Sequence, residues 1–159
     1  MADEITVRDA SENDVGLIHD VLSEAFRPYR DYYTEESYSV TVCSPQEIMR
    51  RIEDSQVDVL VAEYKKQIVG TATINMGEKE RVYLSSMAVR PKVQGKGVGY
   101  YLLHAVEFLA RKKGRKIVAL ECCEFLKMAI GLYRRMGYMR TGYKRPYYGV
   151  EVFEMQKRL

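Results

Sequence analysis

The sequence has few of the residues from which metal centres and disulfide frameworks are built. Its two histidines, His19 and His104, give no Cys/His spacing that suits zinc, so we expect no metal. Its three cysteines are an odd number, and Cys122 and Cys123 are adjacent, which is not the pattern of a disulfide framework. The cysteines therefore predict a reducing compartment, the cytoplasm.

Long apolar runs and a strong charge of one sign are also missing. No run approaches the roughly 18 apolar residues of a membrane helix, and the acidic segment 1–4 lacks the order of a signal peptide. The net charge of +3 is too small to imply nucleic acid. The densest basic run, 111–116, is typical of a helix C-terminus, where cations lie near the negative end of the dipole. We expect neither a membrane nor a nucleic-acid partner, and an RNA-associated protein is the weakest alternative.

The chain of 159 residues predicts one domain, 1–159, with a sizeable core. Alternating and helical apolar patterns give the order βααβββαβαββ, with residues 27–42 left as a long irregular segment. Strands are predicted at 4–8, 57–64, 67–75, 81–89, 116–123, 138–144 and 150–157, and helices at 15–26, 45–52, 98–113 and 125–136. Strand–helix–strand units around a mixed, mostly antiparallel sheet make the predicted class α/β.

A glycine-rich loop separates the fourth predicted strand from the long helix at 98–113. It reads Gln94-Gly95-Lys96-Gly97-Val98-Gly99. Glycines leave backbone N–H groups unshielded, and the first N–H groups of a helix have no intrahelical partner and favour negative charge. The loop therefore predicts a phosphate site and a phosphorylated cofactor. A turn that merely leads into the helix is the alternative.

Two common phosphate-binding loops do not fit this run. A P-loop requires Ser or Thr after Gly-Lys, whereas Gly97 follows Lys96 here. A dinucleotide-binding loop requires G-x-G-x-x-G after the first strand, whereas Gly95, Gly97 and Gly99 are spaced G-x-G-x-G in mid-chain.

The run does match Gln/Arg-x-x-Gly-x-Gly/Ala, and it resembles the acetyl-CoA signature of the GCN5-related N-acetyltransferases (GNAT). Residues 84–91, Leu-Ser-Ser-Met-Ala-Val-Arg-Pro, are similar to that family's bulged fourth strand. Residues 129–138, Ala-Ile-Gly-Leu-Tyr-Arg-Arg-Met-Gly-Tyr, are similar to its A-x-x-LY-x-x-x-GF segment. The resemblance covers nearly the whole chain in order. It implies the GNAT fold and acetyl-CoA as co-substrate, and its pattern is closest to the ribosomal-protein N-terminal acetyltransferases.

The resemblance also implies how each matching position would bind acetyl-CoA. Backbone groups of Met87 and Val89, with Ala88 between them, would pair with the pantetheine arm. N–H groups of the loop and of the first helical turn would hold the pyrophosphate: Gln94, Gly95, Lys96, Gly97, Val98, Gly99 and Tyr100. The chain departs from the family at Leu126, because an asparagine is usual seven positions before the tyrosine.

Two residues are predicted to carry the chemistry. The resemblance implies that Tyr133 protonates the departing thiolate, and a half-buried packing tyrosine is the alternative. A base is needed because only a neutral amine attacks a carbonyl. Glu121 is our candidate, because it lies in an otherwise apolar strand whose burial would raise its pKa, and it precedes Tyr133 by twelve positions. That spacing is similar to the glutamate–tyrosine spacing of ribosomal-protein N-terminal acetyltransferases. Glu124 or a relayed water is the rival base, and a lysine-paired carboxylate is the structural alternative.

Tyrosines are concentrated in two segments that flank the acceptor groove of the implied fold. A tyrosine offers a rigid apolar face and a hydroxyl, which suits a peptide or an amine. We expect acceptor contacts from Tyr29 or Tyr32 and from Tyr143 or Tyr148. Simple cover of the core is the alternative.

These observations predict an acetyl-CoA-dependent N-acetyltransferase that works by direct attack in a ternary complex. The predicted acceptor is a protein N-terminus or a peptide amine. A small amine or polyamine is the next alternative, and a non-catalytic acetyl-CoA-binding regulatory module is a third. A homodimer is left open.

Overall fold

A seven-stranded sheet organises the fold in this computed structural model, which describes residues 4–159. The spatial order is β1-β2-β3-β4-β5-β7-β6, and every neighbouring pair is antiparallel except β4 and β5. The strands are β1 (Ile5–Asp9), β2 (Val57–Tyr64), β3 (Gln67–Met76), β4 (Arg81–Val89), β5 (Ile117–Cys122), β6 (Met139–Tyr147) and β7 (Val150–Arg158). The predicted α/β class with a mixed, mostly antiparallel sheet is confirmed.

Within residues 4–159, five α-helices flank the sheet, and their starts show why these residues are helical. Ser11 and Asp14 form a capping box just ahead of the first helix. The Ser44 hydroxyl accepts the N–H of Glu47 at the start of the third, with Pro45 in the first helical position. Among residues 4–159, no helix is long and apolar enough to cross a membrane. The helices are α1 (Val15–Phe26), α2 (Glu35–Thr41), α3 (Pro45–Glu53), α4 (Val98–Lys112) and α5 (Lys127–Arg135).

The segment 27–42 is more regular than the sequence predicts. It contains a 3-10 helix, Arg27–Tyr32, followed by α2. The Thr34 hydroxyl caps α2 by accepting the N–H of Ser37. The predicted order βααβββαβαββ is therefore wrong by one helix. Elements of six or seven residues make too few turns for an apolar stripe to repeat, so periodicity does not reveal them.

Side chains on the strand β2 alternate between two cores on opposite faces of the sheet. On β2, Leu60 and Ala62 enter the core covered by α4 and α5, whereas Val59 and Val61 enter the core covered by α1 and α3. This two-residue period is what a strand buried on both faces requires. The sheet therefore separates the two cores, and a gap in the sheet connects them.

One buried charge links α4 to the end of the chain. Glu107, only 3% exposed, accepts a hydrogen bond from the Tyr138 hydroxyl at 2.9 Å. It also accepts two from Lys157 Nζ, at 3.0 and 3.1 Å. Burial raises the pKa of Tyr138, and the nearby carboxylate raises it further, so the hydroxyl stays protonated and keeps donating. The network joins α4, the start of β6 and β7.

Glu107→Gln is expected to lower the free energy of unfolding by about 1–3 kcal/mol, because it removes charge-assisted bonds from a buried group. Urea denaturation near neutral pH measures this change. Glu151→Gln is the matched control, since Glu151 makes an exposed ion pair with Lys144, and it should leave stability unchanged. Equal stability of both variants would contradict the structural role of Glu107.

Candidate active site

The two central strands β4 and β5 are paired over only the first part of their length. They pair in parallel from Arg81↔Ile117 to Leu84↔Leu120, and then pairing stops. β4 continues to Val89, still paired with β3, and β5 continues to Cys122, still paired with β7. The sheet therefore has a gap at its centre, and each side of the gap presents unpaired backbone to the other.

A bulge in β4 lies at the point where the strands separate. Thr71 pairs with Ala88 but Thr73 pairs with Ser85, so β4 has one residue more than β3 over this stretch. The extra residue brings Ser86 into the left-handed region, with φ of +49°. A bulge bends a strand and increases its twist, which moves β4 away from β5. The predicted bulge in the fourth strand is confirmed.

Backbone groups at the end of β4 point into this gap. The Arg90 N–H donates to the Val69 carbonyl of β3 at 2.8 Å. Since successive residues of a strand direct their backbone groups to opposite sides, Met87 and Val89 direct theirs away from β3. The Val89 carbonyl also accepts a hydrogen bond from Gln94 Nε2 at 3.3 Å. An extended ligand could pair with this edge as an added strand would.

The glycine loop leads into a candidate anion site at the start of α4. Gly95 and Gly97 have φ of +84° and +94°, which L side chains rarely adopt. The first helical hydrogen bond runs from the Tyr101 N–H to the Gly97 carbonyl, so the N–H groups of Val98 and Gly99 precede the ladder. A Cβ at Gly95 would meet nothing within 4 Å. The glycines are needed for backbone conformation, and that conformation exposes N–H groups to an anion.

Close packing between α4 and α5 brings the loop next to the predicted catalytic tyrosine. A Cβ at Gly99 would lie 2.7 Å from Leu132 Cδ2 and 3.4 Å from Met87 Cε. Leu132 immediately precedes Tyr133 in α5. A glycine at 99 therefore allows the anion site, the β4 edge and α5 to border one cavity.

That cavity is a cleft of about 1010 Å³ that runs through the gap. Leu126, which stands where the resembled family usually has asparagine, lines it as well. Lys96 is outside its walls, with its ammonium 5.9 Å from the centre of the Tyr64 ring. The other predicted cofactor-binding positions line the cleft: Met87, Ala88, Val89, Gln94, Gly95, Gly97, Val98, Gly99 and Tyr100.

Tyr133 is a buried ionisable group of the cleft. Its side chain lines the cavity, and the residue is 7% exposed. Burial raises the pKa of Tyr133, and the nearby Cys122 raises it further. The phenol is therefore protonated at neutral pH. Such a group can give a proton to a strongly basic atom that forms in the cleft.

Glu121 lines the cleft but is not the buried carboxylate that the sequence predicts. Its side chain is 30% exposed, and both oxygens are held by Arg145, through Nε and Nη2 at 2.6 Å each. Pairing between β4 and β5 ends at Leu120, one residue before Glu121, so no neighbouring strand covers this side of Glu121. The partner is an arginine of β6 rather than a lysine. The rival, Glu124, is also paired, with Arg140, and does not line the cleft.

The acceptor-side tyrosines fall partly outside the cleft. Of those predicted, Tyr29 lines it, whereas Tyr32 is 63% exposed and stacks on Phe125 at 5.0 Å. Tyr143 and Tyr148 are exposed and lie outside its walls.

Two tyrosines that the sequence analysis passed over, Tyr33 and Tyr147, line the cleft instead. Tyr33 follows Tyr29 by four positions, which is one helical turn, but a segment predicted as irregular offers no face to assign. Tyr147 ends β6, while Tyr148 has φ of +49° and turns away from the strand direction. Both tyrosine-rich segments therefore reach the cleft, but three of the four predicted tyrosines, Tyr32, Tyr143 and Tyr148, lie outside it.

The cleft cysteines are poor nucleophiles. Burial raises the pKa of Cys123 to about 11, although its hydrogen bond with Tyr33 lowers it somewhat. Burial also raises the pKa of Cys122 to about 12. Both are thiols rather than thiolates at neutral pH, so neither is activated to accept an acyl group.

Comparison with known proteins places the chain among acetyltransferases. Residues 8–159 match the family described as the acetyltransferase (GNAT) domain. The uncharacterized N-acetyltransferase YjgM of Escherichia coli K12 is 34% identical over 86 residues, which is 52% of this chain and 52% of that protein. The uncharacterized N-acetyltransferase MJ1207 of Methanocaldococcus jannaschii is 26% identical over 139 residues, which is 84% of this chain and 60% of that protein. The chain thus spans only about half to three fifths of the curated relatives it matches.

Solved structures share the fold over the whole chain. PaiA N-acetyltransferase from Thermoplasma acidophilum, in complex with coenzyme A, is similar with a TM-score of 0.85 and 21% identity, covering 98% of this chain and 99% of that one. The ribosomal-protein-S18-alanine N-acetyltransferase of Escherichia coli gives a TM-score of 0.78 with 16% identity, covering 98% and 94%. At such identities the likeness concerns the fold alone.

Proposed function

The chain belongs to the GNAT acetyltransferase family, and we propose that it transfers the acetyl group of acetyl-CoA to a primary amine. One observation carries the proposal: the unpaired edge of β4, the anion site at the start of α4 and the buried phenol of Tyr133 border a single cleft. A thioester joined to a pyrophosphate through an extended amide chain needs these three features in this order.

Acetyl-CoA would be held mainly by backbone groups. The N–H groups at the start of α4 would bind the pyrophosphate. Backbone groups of Met87 and Val89 would pair with the amides of the pantetheine arm, as a neighbouring strand would. Leu126 offers an apolar contact where the family usually has asparagine. Lys96, outside the walls of the cleft, would act on the phosphates only through its charge.

The acceptor is proposed to be a protein N-terminus or a peptide amine. Aromatic side chains from α1, the segment 29–33 and β6 line the cleft, and they include Phe26, Tyr29, Tyr33 and Tyr147. Such a surface suits a peptide, because it combines flat apolar contacts with hydroxyl groups. The glutamate–tyrosine spacing supports the same class of acceptor.

Transfer would proceed by direct attack. A base first takes a proton from the acceptor ammonium. The neutral amine nitrogen then forms a bond to the carbonyl carbon, the C–S bond breaks, and the departing sulfur takes a proton from Tyr133. The extra proton that the nitrogen carries after attack is released and restores the phenol. A route through an acyl-cysteine is disfavoured, because burial raises the pKa of both Cys122 and Cys123. Holding both substrates in one cleft would then supply much of the rate.

Glu121 is proposed as the base by elimination. Among residues 4–159, it is the one carboxylate that lines the cleft, and neither histidine lines it. Its ion pair with Arg145 must loosen for a carboxylate oxygen to accept a proton. An acceptor ammonium that enters next to Glu121 competes with Arg145 for the same two oxygens, which provides the means to loosen it.

Acetyl-CoA binding is expected to be saturable with one site, and to require the conformation of the glycine loop. Gly97→Ala should weaken it about tenfold or more, since a side chain at φ of +94° is strained and displaces the N–H groups. Gly114→Ala is the matched control: Gly114 has φ of +72° at the far end of α4, and a Cβ there meets nothing. Calorimetric titration measures all three proteins. Absence of binding by folded wild-type protein would overturn the proposed function.

Tyr133→Phe is expected to lower kcat about 100-fold, because the thiolate then leaves without a proton donor. The Kd for acetyl-CoA should not change. Tyr138→Phe serves as control, since the two rings are 5.9 Å apart but the Tyr138 hydroxyl bonds to Glu107. An unchanged turnover rate in Tyr133→Phe, measured by CoA release, would show that the tyrosine only packs.

Glu121→Gln is expected to lower kcat/KM about 100-fold at pH 7. The loss should shrink as the pH rises past about 8, where an α-amine is already neutral and needs no base. Glu124→Gln removes a similar arginine-paired carboxylate outside the cleft and should have little effect. If Glu121→Gln keeps both the rate and the pH profile of the wild type, a relayed water is the base.

A further inference from the structure

A cation faces the acceptor side of the cleft. Arg51, from α3, lines the cavity although its side chain is only 17% exposed. Its Nη1 donates to the Ser86 hydroxyl, at the β4 bulge, at 2.8 Å. Its charge also acts on Tyr147, which lines the same cleft as Thr41. We call the surface formed by Thr41, Arg51, Ser86 and Tyr147 the acceptor wall.

The guanidinium of Arg51 is fixed by hydrogen bonds but still has unpaired N–H donors. Besides the bond to Ser86, Arg51 Nε donates to Glu47 Oε2 at 3.0 Å. Within residues 4–159 these two contacts occupy two of the five N–H donors of a guanidinium. The guanidinium is thus fixed by two hydrogen bonds and still has N–H donors that face the cavity. Such a group is suited to bind a planar anion such as a carboxylate.

Glu47, the carboxylate partner of Arg51, is shared with Arg50. Arg50 donates to both oxygens of Glu47, from Nε at 2.8 Å and from Nη2 at 2.7 Å. Together the two arginines, Arg50 first, lower the pKa of Glu47 to about 2. Arg50 also forms an ion pair with Asp54, with Nη1 3.8 Å from Oδ2, so the cluster as a whole is balanced. Its carboxylates lie outside the walls of the cleft, however, and Arg51 is the member that presents its charge to the cavity.

Nothing else on the cleft surface balances that charge. Among residues 4–159, the charged side chains that line the cleft are Arg51, Glu121 and Arg135. Glu121 is paired with Arg145 through both oxygens. Arg135 is in the last turn of α5, beyond Tyr133. The acceptor wall is therefore cationic, which repels a polyamine and attracts an anion.

We propose that the acceptor carries a carboxylate close to the amine that is acetylated, and that Arg51 binds this carboxylate. The inference rests on the proposed acetyl transfer and narrows its substrate class. Two sources share this chemistry: a peptide whose first residues are acidic, and a free amino acid. A neutral peptide amine and a polyamine both lack it.

The test compares acceptors that differ only in one carboxylate. Peptides of one sequence beginning with Glu or with Gln probe the peptide source, and alanine against alaninamide probes the amino acid source. Spermidine is the cationic acceptor. The acid member of at least one pair is expected to have a kcat/KM about tenfold higher than its amide, which is the scale of one charge-assisted contact.

Variants of two neighbouring arginines assign the preference to a residue. Arg51→Gln should reduce the acid-to-amide ratio to about one by raising KM for the acid, with the Kd for acetyl-CoA unchanged. Arg51→Lys should retain part of the ratio. Arg50→Gln is the matched control, because Arg50 shares Glu47 but is 62% exposed and does not line the cleft. It should keep the full ratio.

A merely structural Arg51, which only pins the β4 bulge through Ser86, predicts a different result. Its loss would slow all acceptors equally and leave the ratio unchanged, and that result would overturn the inference. Equal rates for acid and amide in the wild type, or fastest transfer to spermidine, would overturn it as well.

Failure of the proposed function is distinguishable from failure of this inference. Absence of both acetyl-CoA binding and CoA release with every acceptor would reject the acetyl transfer itself. If acetyl-CoA binds but no acceptor releases CoA, the same acid and amide peptides are titrated into the protein saturated with CoA. Tighter binding of the acid peptide, lost in Arg51→Gln, supports the inference, and equal binding rejects it.

Discussion

The cleft depends on the loss of hydrogen bonding between two central strands. A parallel pair buried in mid-sheet normally satisfies its backbone groups along its whole length. Here pairing stops after Leu84↔Leu120, and the β4 bulge at Ser86 turns the strand away. Unpaired backbone in the interior is costly unless a ligand or water satisfies it. The gap is thus the least stable part of the sheet. It is also the place where an extended ligand can form the most new hydrogen bonds to the backbone.

The elements around the gap converge because of close helix packing. Only a glycine at 99 lets α4 approach Leu132 of α5 so closely. That contact sets the anion site beside the helix that carries Tyr133. On the far side, Thr34 donates its hydroxyl to the Tyr148 carbonyl at 2.6 Å and joins α2 to the β6–β7 turn. The segments that face the acceptor are therefore tied to each other as well as to the sheet.

Burial and pairing leave few charges free in the cleft. Desolvation keeps the phenol of Tyr133 and the thiols of Cys122 and Cys123 protonated, since it raises the pKa of each. Glu121 is paired with Arg145. Arg51 is the exception on the acceptor side, because it lines the cleft while its carboxylate partner Glu47 lies outside the walls. A cation that faces a cleft favours substrates of opposite charge.

The sequence by itself determined the sheet and the glycine loop before α4. Two-residue alternation, helix caps and closely spaced glycines are local, so their geometry follows from neighbouring residues. The bulge in β4 was implied by the family resemblance rather than by a local pattern. The ion pair between Glu121 and Arg145, and the choice of Tyr33 and Tyr147 over their neighbours, were decided only by the tertiary structure. Each depends on contacts between segments far apart in the chain, such as β5 with β6. Burial and charge pairing are properties of those contacts, and no local pattern encodes them.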